Sequence, residues 1–100
     1  MPENPLHTAM RVDPGLVERM KSDDDWAFAD GALSRKIKLL IALAYDAAHG
    51  AANGVRSLAQ QAVKAGATRE EIGEAMRVAF VLSGVGSVYV ASQGLKELFP

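Results

Sequence analysis

The chain contains no cysteine among its 100 residues. Disulfide bonds, thiol nucleophiles and zinc sites with sulfur ligands are therefore excluded. The segment from Met1 to Leu6 also lacks the basic stretch followed by an apolar stretch that marks a signal peptide. Because cysteine-free chains suit reducing compartments, we expect a cytoplasmic protein.

An excess of one charge is also missing, since 11 Lys and Arg face 12 Asp and Glu for a formal net charge of -1. Affinity for nucleic acid depends on clustered basic side chains that neutralise phosphates, so we expect no nucleic-acid partner. The longest apolar run, Leu39 to Tyr45, is far shorter than the roughly 20 residues that span a bilayer. We therefore expect no membrane partner either.

Helix signals dominate what is present. Asp13 offers an N-cap oxygen and Pro14 suits the first helical position. Ser34 can cap a second long helix, and Thr68 with Glu71 has the spacing of a capping box. No segment has a convincing strand pattern, so the sequence predicts an all-α fold of about five to six helices.

The domain organisation follows from these signals. Residues 1–12 carry two prolines and little periodicity, which predicts an N-terminal arm, whereas residues 13–100 are predicted to form a single helical domain. Within that domain, the acidic run 23–25 is expected to interrupt the first helix or to begin a second one. Gly66 and Gly84 are expected to end helices.

Two segments are apolar on nearly every side. One is the helix that follows Ser34, and the other runs from Val78 to Leu82. The remaining helices of so small a protomer are too few to cover both, so apolar surface would be left exposed. We predict a homo-oligomer.

A polar stripe interrupts the apolar pattern at Asp46, His49 and Asn53, which would share one face if the helix continued through them. Arg56 and Ser57 would extend that face by another turn. A carboxylate beside an imidazole favours its protonated form, which would make His49 a general acid or base oriented by Asp46. The alternative is a helix end at which both side chains meet water.

The same pair could supply two metal ligands, with Glu71 or Glu74 as further donors. No second Glu-x-x-His and no His-x-x-x-His motif is present, however. We therefore predict no metal and no other cofactor.

A helix-turn-helix is a rival interpretation, because Ala62, Gly66 and Ile72 have its spacing. The helix that would enter the major groove carries Glu70 and Glu74, which would repel phosphates. Ordinary packing around a turn explains the same spacing without DNA.

Three segments together point to a family. They are Leu39-Leu-Ile-Ala-Leu-Ala44, the signature Ala62-x-x-x-Gly66-Ala-Thr-x-Glu-Glu71-Ile-x-Glu74-Ala75, and the stretch from Gly84 to Ala91. On these residues the chain from Ser34 to Leu98 resembles the carboxymuconolactone decarboxylase and alkylhydroperoxidase D superfamily. The resemblance implies an all-helical protomer that assembles into dimers, trimers or hexamers.

Redox members of that superfamily carry Glu-x-x-Cys-x-x-Cys-x-x-x-His just before the signature. Counting back from Gly66, the first cysteine falls on Ala51 or Ala52 and the second on Gly54 or Val55. Peroxide reduction by dithiol exchange is therefore excluded, because the thiolate itself is the nucleophile.

For the decarboxylase branch, the resemblance implies a cofactor-independent lyase that acts on a small carboxylated lactone. In that hypothesis His49 is the general acid, Asp46 orients it and Arg56 holds a substrate carboxylate. Asn53 and Glu74 are the further candidates for substrate binding.

A second hypothesis is a non-catalytic oligomeric protein that keeps the fold for small-molecule binding or for a structural role. The two hypotheses differ in where they place the acid–imidazole pair. An enclosed cavity beside a cationic group favours the enzyme, whereas an open helix end favours the binding or structural protein.

Overall fold

The computed structural model describes residues 5–100, and within them six α-helices form and no strand does. The helices are α1 His7–Val12, α2 Pro14–Phe28, α3 Arg35–Ala48, α4 Ala52–Lys64, α5 Arg69–Ser83 and α6 Gly86–Leu95. The predicted all-α fold is thus confirmed. None of these helices is long and apolar enough to cross a membrane.

The N-terminal region differs from expectation at the acidic run of α2. The predicted arm contains the short helix α1, of which no residue is buried. Helix α2 runs without a break through the acidic run 23–25, so the expected interruption is wrong. These carboxylates lie exposed to water, and Arg19 Nε pairs with Asp23 Oδ1 at 3.1 Å one turn away, which supports a continuous helix.

The predicted helix boundaries further along are confirmed. The Ser34 hydroxyl accepts a hydrogen bond from the Ile37 amide at 3.2 Å. Thr68 and Glu71 form the capping box, with the Glu71 amide 3.1 Å from Thr68 Oγ1 and the Thr68 amide 2.9 Å from Glu71 Oε1. Gly66, at φ +98°, adopts the left-handed conformation that ends α4.

Helix α3 lies at the centre of the bundle and packs against α2, α4, α5 and α6. Its side chains Leu39, Leu40, Leu43 and Ala47 are buried. Small residues let its neighbours approach closely. At Gly94 of α6, an added Cβ would lie 2.6 Å from the Ala52 carbonyl oxygen of α4, so only glycine fits there. This contact holds the start of α4 in place.

Apolar surface remains exposed on the second half of α5, as the sequence predicts for a protomer. Val78, Val81 and Leu82 are 55%, 77% and 80% exposed. We call these three residues the α5 apolar face. Such a patch is unusual on a surface that meets only water.

The acid sensitivity of the fold can be predicted from Glu71. Its pKa is lowered from the ordinary value of 4.5 because its carboxylate accepts the Thr68 amide hydrogen bond and pairs with Lys36 at 2.9 Å. A lowered carboxyl pKa stabilises the fold above the unfolded-state pKa, and this contribution is lost as pH falls through the folded-state pKa. We expect Glu71→Gln, which keeps an oxygen for the cap but no charge, to weaken the loss of stability below about pH 4.5.

Urea unfolding between neutral and acidic pH measures this dependence. Glu18→Gln, an exposed site on α2, is the matched control for removal of one carboxylate. Equal pH slopes for the two variants would mean that the cap and its Lys36 ion pair are not the source.

Candidate functional site

A groove of about 610 Å³ lies between α2, α3 and α4, and we call it the α2–α4 groove. Its charged lining residues are Asp24, Lys38 and Asp46. The rest of its lining is mainly apolar and includes Ala27, Phe28, Ile41, Ala42, Tyr45, Gly54, Ser57 and Leu58. An apolar groove with a few polar groups is the usual form of a small-molecule site.

Helix α3 supplies one wall of this groove through a single stripe of side chains. Lys38, Ile41, Ala42, Tyr45 and Asp46 follow the i, i+3, i+4, i+7, i+8 spacing of one helix face. The two charged members stand eight residues apart, which is about 12 Å along the helix axis. On α3 the groove therefore has Lys38 at what we call the basic end and Asp46 at what we call the acidic end, with the apolar side chains of Ile41 and Ala42 between them, and α2 adds a second carboxylate, Asp24.

Asp46 is half-buried, and its carboxylate lies directly against Gly54 of α4. A Cβ at Gly54 would overlap Oδ2 of Asp46 and lie 2.9 Å from its Cγ, so the absence of a side chain makes this approach feasible. The carboxylate makes no hydrogen bond or ion pair with any residue from 5 to 100. Its oxygens are thus free to accept hydrogen bonds from a ligand.

Lys38 is half-buried, and its ammonium donates a hydrogen bond to the Ala29 carbonyl oxygen at 2.6 Å. This bond anchors the side chain on the loop after α2. Because an ammonium has three N–H donors, two remain for other acceptors. Lys38 is therefore a positioned cation at the basic end of the groove.

His49 lies outside the groove lining, at the exposed C-terminal end of α3. Its ring stacks on Tyr45 with the centroids 4.0 Å apart, and its Nδ1 is 2.8 Å from the Tyr45 carbonyl oxygen. Since a carbonyl oxygen only accepts, Nδ1 must carry the hydrogen. Nε2 makes no hydrogen bond with any residue from 5 to 100, and Tyr45, on which the ring stacks, lines the groove that the ring itself does not reach.

Asp46, His49 and Asn53 do not share one helix face, because no single helix continues through them. Helix α3 ends at Ala48, Gly50 turns the chain at φ +78°, and α4 begins at Ala52. Asp46 and Asn53 consequently belong to different helices. A helix end was the stated alternative from sequence, and the turn at Gly50 produces one after Ala48.

The remaining predicted residues are dispersed. Arg56 Nη1 lies 3.7 Å from Glu97 Oε1 in an exposed pair, and neither Arg56 nor the exposed Asn53 lines the groove. Glu74 lines a second groove of about 380 Å³ between α3 and α5, which we call the α3–α5 groove. Of the five predicted site residues, the α2–α4 groove thus contains Asp46.

Sequence reasoning missed Lys38, Tyr45 and the contribution of α2. The stripe spacing on α3 could have identified Lys38 and Tyr45, because both share a face with Asp46. Asp24 and Phe28 reach the groove through tertiary packing, for which the local pattern holds no signal.

The carboxylate and imidazole side chains of the described residues lie apart from one another. Within the part of the chain that the structure describes, no three His, Asp or Glu side chains converge as metal ligands. Glu71 and Glu74, the donors considered from sequence, line the α3–α5 groove, whereas Asp46 lines the α2–α4 groove.

Comparisons with known proteins agree with this architecture. The model of the carboxymuconolactone decarboxylase family matches residues 15–97. The apo crystal structure of a carboxymuconolactone decarboxylase family protein from Legionella pneumophila is similar, with a TM-score of 0.83 and 33% sequence identity over 91% of this chain and 81% of that chain. Among curated proteins, no sequence matches the chain.

The contact between Asp46 and Gly54 leads to a stability prediction. Gly54→Ala should displace the carboxylate and destabilise the fold by about 1–3 kcal/mol, as overpacking does. Removing the obstacle in Asp46→Ala/Gly54→Ala should restore most of that loss. Urea unfolding of the two single variants and the double variant measures the coupling.

Gly73→Ala is the matched control, because Gly73 also lies in a helix but has no atom within 4 Å of an added Cβ. Alanine there should be neutral or stabilise by up to about 1 kcal/mol. A Gly54→Ala variant as stable as the Gly73→Ala variant would contradict the described contact.

Proposed function

Because the chain belongs to the carboxymuconolactone decarboxylase family, we propose that it is a cysteine-independent member that binds a small organic molecule in the α2–α4 groove. The observation that carries this proposal is the half-buried Asp46 carboxylate, which faces an apolar groove without a partner. Half-burying a carboxylate without a partner is costly, so such an arrangement suits a group reserved for a ligand. Lys38 supplies the opposite charge in the same groove.

Binding explains the geometry better than catalysis by His49. An acid–imidazole pair inside one cavity would favour the enzyme, but Asp46 lies in the groove while His49 lies at an open helix end. Arg56 is also a poor clamp for a substrate carboxylate, because it lies outside the groove near Glu97. Lys38 is the better candidate for that role.

A second candidate is a cofactor-independent lyase for a small carboxylated lactone. Loss of carbon dioxide leaves an electron pair that conjugation with the lactone can accept, and carbon must then be protonated. Asp46 is the titratable group placed to move that proton in the groove. The favouring observation for His49 is its free Nε2 beside Tyr45, which puts a second proton carrier next to the groove lining.

A ligand screen tests the binding proposal. Small mono- and dicarboxylates, amino acids and lactones are tested for a rise in unfolding temperature, and the affinity of each hit is measured by calorimetry. We expect Asp46→Asn and Lys38→Met each to weaken a hit by about tenfold, whereas Glu18→Gln should bind like the unmodified protein. Unchanged affinity in both groove variants would contradict the proposal.

The lyase candidate has its own readout. Carbon dioxide release from a bound lactone carboxylate should fall in Asp46→Asn, and a smaller fall in His49→Ala would show that the imidazole assists. Binding without any release of carbon dioxide would leave the binding function and remove the enzyme.

We also propose that the protein assembles into a homo-oligomer through the α5 apolar face. The apolar surface continues from this face into the α3–α5 groove, which Val78 lines together with Ile37 and Ala75. A continuous apolar surface is the kind of surface that a second protomer covers. The predicted family resemblance, which implies oligomers, supports the same proposal.

Light scattering at micromolar concentration tests assembly. We expect Leu82→Glu to lower the mass toward that of a protomer, because it places a charge in the proposed interface while its exposed position leaves the protomer core unchanged. Gln60→Glu, an exposed site on α4, is the charge-matched control. A monomeric mass for the unmodified protein would contradict the proposal.

A further inference from the structure

The charges of the α2–α4 groove are unequal, with two carboxylates, Asp24 and Asp46, against the single ammonium of Lys38. A ligand with two carboxylates would place one negative group near a carboxylate that has no cation of its own. A ligand with one negative and one positive end would meet the opposite charge at each of the two charged side chains of α3, Lys38 and Asp46. Charge complementarity therefore favours a zwitterionic ligand over a dicarboxylate.

The spacing of the charges adds a requirement on shape. Lys38 and Asp46 are separated by about 12 Å along α3. The side chains between them, Ile41 and Ala42 of α3 with Leu58 of α4, are apolar. A matching ligand has its two polar groups at opposite ends of a flexible apolar chain.

Lys38 and Asp46 also differ in the hydrogen bonds that they can offer to a ligand. The Lys38 ammonium is already held by the Ala29 carbonyl oxygen and keeps two donors, so it suits a carboxylate. The Asp46 carboxylate only accepts hydrogen bonds, and it makes none with residues 5–100. It suits an ammonium group, which donates up to three.

We propose that the α2–α4 groove selects an ω-amino carboxylate, bound with its carboxylate at Lys38 and its ammonium at Asp46. This inference rests on the proposed function, because it assumes that the groove is a ligand site. It goes further in naming the ligand class and its direction in the groove.

Four molecules of matched chain length test the inference by calorimetry: ω-aminocaprylate, caprylate, octylamine and suberate. We expect ω-aminocaprylate to bind at least about tenfold more tightly than each of the others, which corresponds to about 1.4 kcal/mol. The shorter γ-aminobutyrate should bind more weakly, because it cannot reach both ends. Suberate equal to or tighter than ω-aminocaprylate would overturn the inference.

Two variants test the direction of binding. Asp46→Asn should reduce the affinity for ω-aminocaprylate to that for caprylate, and Lys38→Met should reduce it to that for octylamine. Glu18→Gln should leave all affinities unchanged. If Asp46→Asn lowered the affinity for all four ligands by the same factor, the substitution would be acting on the structure of the groove, and the inference would also be overturned.

The outcomes separate the two proposals. If caprylate or suberate binds in a manner that depends on the groove residues but the amino end gives no advantage, the ligand class is wrong and the groove remains a binding site. If neither these molecules nor any compound of the wider screen binds, both proposals fail.

Discussion

The site depends on the turn that joins α3 to α4. The Asp46 carbonyl oxygen accepts hydrogen bonds from the His49 amide at 3.2 Å and the Ala51 amide at 2.9 Å, which ends one helix and starts the approach to the next. The Asp46 carboxylate then lies on Gly54, at the first turn of α4. One residue thus connects the backbone turn, the packing of two helices and the acidic end of the groove. Any side chain at position 54 would disturb all three.

The turn between α3 and α4 also lies in the segment where redox members of the superfamily carry their two cysteines, and this chain has no cysteine there. The resemblance predicted from sequence is confirmed by the family match over residues 15–97 and by the similar fold. In one register of the redox motif, Gly54 stands where the second cysteine would be. A cysteine side chain there would overlap the Asp46 carboxylate. In that register the space of a thiol side chain is occupied by the Asp46 carboxylate, which accepts hydrogen bonds and is not a thiolate nucleophile.

Local signals predicted the helices well and the site poorly. Caps such as Thr68 with Glu71 act within a few residues, so their pattern alone decides where a helix begins. The polar stripe was predicted to share one face only if the helix continued, and the turn at Gly50 instead places Asp46 on α3 and Asn53 on α4. The expected break in α2 failed because exposed acidic residues are tolerated in a helix that an ion pair supports. Phe28 of the groove is positioned by packing between helices, which no local pattern encodes.

Water access differs between His49 at the helix end and the two charged groups of the groove, Asp46 and Lys38. The exposed side chain of His49 is surrounded by bulk water, which screens its interactions with a charged ligand. The half-buried Asp46 carboxylate and Lys38 ammonium lie against apolar walls, where their interactions with a ligand are screened less. Electrostatic selection is therefore strongest inside the groove and weakest at the helix end. This difference in screening is the reason that the proposed ligand site is the groove and not the helix end that carries His49.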